Sequence, residues 1–377
     1  MKAVGLFSGI GGLELGLQSA GFHSSLLCDI FPAAQQVLRS RFPDADLHHD
    51  VTTLNSLPSG TDVLSAGFPC QDLSQAGLTK GIDGARSGLV GEIFRLVKDS
   101  RPRTVVLENV PFMLQLHAGE PMRRIIDAFE EMGYRWAWRV VDTNSFGLPQ
   151  RRERVFFVAS LDINPAMALL RDDAPFARPG TDFEEYAHGF YWTEGKGGLG
   201  WAVNAVPTLK NGSTIGIASP PAILRMDGSI VKPHIEDAER LQGFAPGWTS
   251  PAEEVAKPSS RWTLVGNAVS VPVAAWVADR IINTPSGTLE SERFLPFPVK
   301  GKLPKAACFD GSKRYGVVAS TDPLAFDRPK LEDFLFHPGT PLSKRAVTGF
   351  LGRTRNATIR FPEGFIEKVE AFSDSLD

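Results

Sequence analysis

Three short segments of the chain combine reactive side chains with residues that restrict the backbone. Gly67-Phe68-Pro69-Cys70-Gln71 contains a thiol, which becomes a nucleophile when its pKa is lowered. Glu108-Asn109-Val110 places an acid after an apolar run, where a raised pKa suits a proton donor. Gln150-Arg151-Arg152-Glu153-Arg154 clusters guanidinium groups, which bind phosphates or base carbonyls. A buried thiol, a strand-end acid facing water and a charged rim are the ordinary alternatives.

A glycine-rich turn near the N-terminus is a candidate nucleotide site. Ser8-Gly9-Ile10-Gly11-Gly12 follows an apolar run and precedes a helical pattern, so free N–H groups at the helix start can face an anion. Asp29 follows Gly9 by 20 residues, a position at which an acid can bind ribose hydroxyls. Glu14 replaces the third glycine of a dinucleotide fingerprint, which disfavours a dinucleotide and leaves a nucleoside ligand open. A tight turn with glycines for packing is the alternative.

Alternating strand and helix patterns over residues 1–160 position these segments. Apolar runs predict strands at 2–7, 24–29, 62–66, 104–107, 135–141 and 154–160, and helical patterns lie at 13–20, 89–97 and 121–129. This alternation predicts an α/β fold with a doubly wound, mostly parallel sheet. The reactive segments then follow strands at the carboxyl edge, where such sheets bind ligands.

The pattern changes after residue 160 and suggests further divisions. Residues 161–234 are rich in Gly, Pro and aromatics and predict a smaller irregular lobe. Helical patterns at 235–242 and 269–282 indicate a return to the first domain over 235–284. Residues 285–377 form a Pro-rich extension with no assigned fold.

The chain has 377 residues, of which 42% are hydrophobic, and this composition indicates a folded protein. Cys28, Cys70 and Cys308 lie far apart, so we expect neither a disulfide framework nor a metal site, and a reducing cytoplasm fits. No signal-peptide core or membrane-spanning run is visible. A net charge of −3 disfavours a nucleic-acid partner, but residues 134–160 hold five Arg against two acids and residues 339–362 hold five cations and no acid.

Six segments in order resemble the motifs of cytosine-5 DNA methyltransferases. They are Leu6-Phe7-Ser8-Gly9-Ile10-Gly11-Gly12, Gly67-Phe68-Pro69-Cys70-Gln71, Glu108-Asn109-Val110, Gln150-Arg151-Arg152-Glu153-Arg154-Val155, Arg240-Leu241-Gln242-Gly243-Phe244 and Gly266-Asn267-Ala268-Val269. The resemblance implies a site-specific enzyme of a bacterium or phage, either part of a restriction-modification system or an orphan methyltransferase. It implies S-adenosylmethionine as the methyl donor and a cytosine flipped out of duplex DNA as the acceptor.

The resemblance also implies a role for each site residue. Cys70 would bond to C6 of cytosine, Glu108 would hydrogen-bond N3 and the exocyclic amine, and Arg154, supported by Arg152, would hold O2. The implied cofactor contacts are Phe7, Ser8, Gly9, Ile10, Gly11, Gly12, Asp29, Ile30, Asp50, Val51, Pro69, Leu89 and Asn267. Residues 1–160 would be the catalytic and cofactor-binding domain and residues 161–234 a short target-recognition region.

Candidate DNA contacts fall into three groups. A loop over residues 71–88 could close over the flipped base, because Gly77, Gly81 and Gly84 permit motion. The basic residues at 339–362 could supplement the short recognition region. The candidates are Gln71, Ser74 and Arg86 in the loop, Lys210, Asn211, Ser213 and Arg225 in the recognition region, and Lys344, Arg345, Arg353 and Arg355 in the extension.

We expect a monomer that acts on double-stranded DNA without a membrane, while a cognate restriction endonuclease acts separately. The expected location is the cytoplasm, in association with the nucleoid of a prokaryote or phage-infected cell. Three alternatives stay open: an RNA (tRNA) cytosine-5 methyltransferase, a nicotinamide-dependent oxidoreductase, and a catalytically silent DNA-binding relative.

Overall fold

The computed structural model describes residues 1–69, 88–174, 179–195, 197–210, 212, 220–355 and 357–376. The chain divides into two compact units. The first unit contains Met1–Asp142, Glu153–Pro175 and Val269–Leu324, and the second contains Thr143–Arg152, Phe176–Ala268 and Ala325–Asp377. The C-terminal residues are therefore shared between the units, whereas the sequence pattern set residues 285–377 apart as one extension.

The first unit contains a parallel half-sheet. Its strands are β1 (Lys2–Leu6), β2 (His23–Cys28), β3 (Asp46–His48), β4 (Val63–Ala66) and β5 (Thr104–Asn109), in the spatial order β5-β4-β1-β2-β3. The helices between them are α1 (Gly12–Ser19), α2 (Pro32–Arg41) and α3 (Leu89–Ser100), and α4 (Glu120–Glu131) follows β5. The doubly wound α/β prediction is confirmed, and α2 and β3 are additions to the predicted elements.

Antiparallel strands extend the same sheet beyond β5. Strands β6 (Arg135–Asp142) and β8 (Glu153–Ser160) pair with each other, and β14 (Phe294–Pro296), β15 (Ala306–Phe309) and β16 (Arg314–Val317) complete the order β14-β16-β15-β6-β8-β5. Trp136 and Trp138 are fully buried on β6 and stack with ring centroids 5.0 Å apart. Residues of the predicted extension thus widen the central sheet.

Amphipathic helices cover this sheet. Helix α3 buries Val90, Ile93, Phe94, Leu96 and Val97 in the core cluster that also includes residues of α4 and β5. The unit also contains α5 (Pro165–Leu169) and α8 (Val271–Ile282). Helix α8 packs closely on α1, because a Cβ at Gly16 would lie 2.5 Å from the Ala274 Cβ.

The second unit contains a five-stranded antiparallel sheet of short strands. Its spatial order is β10 (Trp201–Val203), β9 (His188–Phe190), β12 (Ala222–Leu224), β13 (Ile230–Lys232) and β17 (Thr340–Pro341), and β7 (Gln150–Arg151) pairs separately with β11 (Val206–Pro207). The helices are α6 (Ile235–Leu241), α7 (Ser260–Asn267), α9 (Leu331–Phe334), α10 (Lys344–Thr354) and α11 (Phe365–Asp374). Strands this short carry little period-two signal, which explains the irregular appearance of the sequence.

One hydrophobic core joins the C-terminal residues to this sheet. Phe190 and Ile230 from the strands are fully buried together with Val347, Phe350 and Phe365 from α10 and α11. The ring centroids of Phe190 and Phe350 lie 4.8 Å apart. Residues 325–377 therefore complete the second unit.

Residues 260–282 are long and apolar enough to cross a membrane by length and composition. They form two helices, α7 and α8, separated by residues 268–270, and 61% of the apolar window is buried within the protein. Packing in the hydrophobic core accounts for the apolar composition of these residues.

Candidate active site

The candidate residues of the first unit follow neighbouring parallel strands. Leu6, at the end of β1, is in register with Cys28 of β2 and with Ala66 of β4, and Ala66 is in register with Leu107 of β5. The glycine turn, Asp29, the Gly67–Pro69 loop and the end of β5 therefore lie along one carboxyl edge. This is the arrangement that the strand pattern predicts.

The glycine turn depends on positive backbone angles. Phe7 and Gly9 have φ values of 54° and 55°, and Gly11, before α1, has φ 83°. A Cβ at Gly9 would meet no atom within 4 Å, whereas one at Gly11 would lie 2.3 Å from the ring of Phe42. Gly11 thus serves close packing, and Gly9 leaves open space at the turn.

Asp29 holds the turn from the neighbouring strand. Its Oδ2 accepts a hydrogen bond from the Gly9 N–H at 2.7 Å, and its Oδ1 accepts one from the Phe31 N–H at 2.9 Å. Burial raises the pKa of Asp29, and the backbone hydrogen bonds oppose this shift. The next residue, Ile30, is 63% exposed, which is unusual for an apolar side chain beside a buried acid.

Glu14 lies beneath the turn, on the first helical turn of α1. Its side chain is 1% exposed, and its Oε1 accepts a hydrogen bond from Ser65 Oγ at 3.1 Å. Burial raises the pKa of Glu14 to about 7. A Cβ at Gly5 would lie 2.1 Å from this Oε1, so the carboxyl group fits only because residue 5 is glycine. In the sequence, Glu14 stands only as the residue that replaces the third glycine of the dinucleotide fingerprint, and nothing there predicts that it is buried.

The other predicted cofactor contacts of this unit differ in exposure. Asp50 is half-buried and its Oδ1 accepts a hydrogen bond from the Thr52 N–H at 2.9 Å, which lowers the pKa of Asp50. Val51 is buried, Pro69 is exposed, and Leu89, the first residue of α3, is half-buried against the core.

Glu108 and Arg154 meet at the same edge. Glu108 is the penultimate residue of β5, with 7% of the residue exposed, and its Oε1 lies 3.0 Å from Arg154 Nε on β8. A Cβ at Gly67 would lie 3.5 Å from Glu108 Oε2, so the loop that leads to residue 70 runs beside this carboxyl group. The structure thus brings together two of the predicted catalytic side chains.

Asn109 is a positioning residue that the sequence interpretation did not single out. It is buried, its Nδ2 donates to the Phe68 carbonyl at 2.9 Å, and its Oδ1 accepts from the Val110 N–H at 2.8 Å. Asn109 therefore ties the Gly67–Pro69 loop to β5. An amide beside the strand-end acid is the signal that identifies it in the sequence.

Cys28 and Cys308 are unsuited to nucleophilic catalysis. Both thiols are buried, and burial raises the pKa of each to about 12. The predicted nucleophile Cys70 lies outside the described residues, as do the predicted DNA contacts Gln71, Ser74, Arg86, Asn211 and Ser213.

Arg152, in the second unit, binds backbone carbonyls. It is 1% exposed, and its guanidinium donates to the carbonyls of Leu209 at 2.9 Å, Gly266 at 3.2 Å and Ala268 at 2.6 Å. These bonds hold the segment around Asn267, whose side chain is exposed at the end of α7. The geometry thus gives Arg152 a positioning role in this segment.

The predicted cationic DNA contacts of the second unit fall into two classes. Lys210 Nζ lies 3.3 Å from Glu194 Oε1 and 3.8 Å from the centre of the Tyr191 ring. Arg225 pairs with Glu332 at 3.4 Å, and Arg353 donates to the Trp192 carbonyl. In contrast, exposed cations lie at or after the start of α10: Lys344, Arg345 and Arg355.

Comparisons with known proteins agree with this geometry. The family profile described as C-5 cytosine-specific DNA methylase matches residues 1–186. A Type II methyltransferase of Bacillus subtilis, M2.BsuMI, is 43% identical over 99% of this chain and 98% of its own length. M.DsaV of Dactylococcopsis salina, also a Type II methyltransferase, is 26% identical over 78% of this chain and 89% of its own.

The fold is also similar to that of a solved structure. The S. pombe Dnmt2 methyltransferase matches with a TM-score of 0.55 and 16% identity, covering 75% of this chain and 98% of that one. At this identity the likeness concerns the fold.

Proposed function

Because this chain belongs to the C-5 cytosine-specific DNA methylases, which use S-adenosylmethionine, we propose that Cys70, Glu108 and Arg154 methylate C5 of a cytosine flipped out of duplex DNA. The observation that carries the proposal is the contact between Glu108 and Arg154 beside the loop that leads to Cys70. A buried carboxyl group, a guanidinium group and a thiol are the groups that addition to a pyrimidine requires.

Cys70 opens the reaction by forming a bond from its sulfur to cytosine C6. The electron pair of the C5–C6 double bond moves toward C5 and into the ring, which makes C5 nucleophilic. Glu108, which meets N3 and the exocyclic amine, stabilises the charge that develops there. After C5 gains its methyl group, loss of the C5 proton and of the cysteine sulfur restores the aromatic ring.

Arg154 contributes in two ways. Its guanidinium binds the cytosine O2, and its contact with Glu108 holds that carboxylate in one orientation. Asn109 acts through the loop, because its bond to the Phe68 carbonyl fixes the residues immediately before Cys70. Arg152, in the second unit, acts through the carbonyls of Leu209, Gly266 and Ala268 that it holds.

The first unit fits an adenosine-containing methyl donor. Gly9 leaves open space at the turn, Asp29 is a carboxylate held at the adjacent strand end, and Ile30 exposes an apolar side chain beside it. We assign the cofactor to these residues together with Phe7, Ser8, Ile10, Gly11 and Gly12, and to Asp50, Val51, Pro69 and Leu89. Asn267 belongs to the second unit, and its cofactor contact stays a prediction from the family resemblance. When bound, S-adenosylmethionine supplies the electrophilic methyl group.

The substrate of the family is DNA, and we extend this to double-stranded DNA read by the second unit. We assign phosphate contacts to Lys344, Arg345 and Arg355, because these cations are exposed in a segment that shares the hydrophobic core of the five-stranded sheet of the second unit. Because the relatives are named Type II methyltransferases, we assign the protein to a restriction-modification system. We propose a cytoplasmic monomer whose cognate endonuclease acts separately.

A covalent trap tests the proposed reaction. Duplex DNA containing 5-fluorocytosine is incubated with the full chain and labelled S-adenosylmethionine, and adducts are separated under denaturing conditions. Because fluorine blocks the final elimination, the wild type remains attached to DNA. Cys70→Ala abolishes the adduct, and Cys308→Ala, a matched cysteine control, retains it.

The same assay distinguishes the competing functions. An equal adduct with Cys70→Ala contradicts the assigned nucleophile. Equal labelling of tRNA and duplex DNA by the wild type contradicts DNA specificity, and cofactor binding without any transfer indicates a catalytically silent relative.

A further inference from the structure

Two histidines and a glutamate meet in the second unit, far apart in sequence. His234, Glu236 and His337 each offer a ligand atom, and these atoms all lie within 4.8 Å of one another. His337 Nε2 lies 3.1 Å from Glu236 Oε2, and the ring centroids of His234 and His337 lie 4.1 Å apart. None of these residues belongs to the proposed methyl-transfer site.

The backbone that carries His337 is held in place independently of this cluster. Asp237, fully buried on α6, accepts hydrogen bonds from the Phe336 N–H at 2.8 Å and the His337 N–H at 3.1 Å. Arg240, one turn along α6, donates to the Phe334 carbonyl. Its guanidinium carbon lies 4.3 Å and 3.5 Å from the ring centres of Phe334 and Phe336. His337 is thus presented beside Glu236 by contacts other than its own side chain.

The other two ligands are fixed by helix α6 itself. His234 is the N-cap residue, and its Nδ1 accepts a hydrogen bond from the Glu236 N–H at 3.3 Å. Glu236 is in the first helical turn. Only one residue, Ile235, separates His234 from Glu236 along the chain, so folding of α6 brings their side chains together. Packing of the segment around His337 against α6 then adds the third ligand.

The donor atoms and their spacing suit zinc. Imidazole nitrogens and a carboxylate oxygen are ligands that Zn²⁺ prefers, at about 2.0–2.1 Å from the metal. In a tetrahedron with such bonds, neighbouring ligand atoms lie about 3.3–3.4 Å apart. The 3.1 Å between His337 Nε2 and Glu236 Oε2 is close to that spacing.

We propose that His234, Glu236 and His337 bind one divalent ion of the zinc class, with water as the fourth ligand. The ion links the segment around His337 to α6 and closes the loop between Glu236 and His337, which are 101 positions apart in the sequence. That segment leads into β17 and the basic helix α10. The role is therefore structural, and it is independent of the proposed methyl transfer.

Zinc titration of the untagged full chain tests the proposal. Isothermal calorimetry on wild type, His337→Gln, His234→Gln and the control His23→Gln counts the bound equivalents. Because all four proteins keep Cys70, only differences between them are informative. We expect His337→Gln and His234→Gln each to lose one bound equivalent relative to wild type, and His23→Gln, which replaces an exposed histidine in the first unit, to lose none.

Two further measurements keep the test decisive. Zinc is expected to raise the Tm of wild type and of His23→Gln but not that of His234→Gln, which replaces an exposed side chain. Co²⁺ is expected to give the visible d–d absorption of a tetrahedral site in wild type, weakened in His234→Gln. Equal zinc stoichiometry and equal Co²⁺ spectra in wild type and both cluster variants overturn the proposal and leave a histidine–glutamate hydrogen bond.

Discussion

The buried carboxyl group of Glu14 predicts that the stability of this protein depends on pH in an unusual direction. Glu14 is 1% exposed, and the hydrogen bond from Ser65 does not offset the loss of water. Burial raises its pKa from 4.5 to about 7. Most carboxyl groups of folded proteins favour the native state as pH rises, whereas a carboxyl group with a raised pKa does the opposite.

The sign follows from the protons that each state binds. Between pH 4.5 and 7 the folded state keeps the Glu14 proton that the unfolded state loses, so the stabilisation is complete below pH 4.5 and disappears as pH rises through about 7. Glu14→Gln is neutral throughout and has no such dependence. From pH 5 to pH 8, the free energy of unfolding of the wild type should fall relative to that of Glu14→Gln by about 2–3 kcal/mol.

Urea unfolding at pH 5, 6, 7 and 8 measures this difference. Trp136 and Trp138 are fully buried in the same unit, so their fluorescence reports its unfolding. Glu131→Gln, an exposed substitution on α4, is the control and should follow the wild type at every pH. A difference between wild type and Glu14→Gln that is constant with pH, or that grows in favour of the wild type, would refute the reasoning.

Three further predictions concern other parts of the chain. Asn109→Ala should lower the single-turnover methylation rate by about 10- to 100-fold while the Kd for S-adenosylmethionine changes little, because the amide positions the nucleophile loop; a parallel loss of cofactor affinity would contradict this. The double variant Arg345→Gln and Arg355→Gln should reduce the slope of log DNA affinity against log salt by about 2, with Arg39→Gln as an exposed control that leaves it unchanged. Gly5→Ala should destabilise the protein by about 1–3 kcal/mol in thermal or urea unfolding, because its Cβ has no room beside the buried carboxyl group. Shortening the Glu14 side chain in the Gly5→Ala protein should restore most of the lost free energy of unfolding.

The candidate residues at the ends of the strands can be predicted from the local sequence pattern. The glycine turn and Asp29 each follow a short apolar strand, and Glu108 lies near the end of another. Parallel strands bring their carboxyl ends to one edge whatever the details of packing. The sequence by itself therefore determined the α/β class, the sheet edge at which the candidate residues meet and the charged groups placed there. It also showed that an overall net charge of −3 conceals local basic segments.

Only the tertiary structure decided how distant residues act on one another. Arg152 reaches carbonyls 57 and more than 110 residues away, and Lys210 lies against a buried glutamate, so each charge has an internal partner that no local pattern displays. The short strands β14, β15 and β16 join the central sheet, whereas α10 and α11 join the core of the second unit. Partners of this kind depend on which surfaces meet when the chain folds, because hydrogen bonding and burial are properties of neighbours in space.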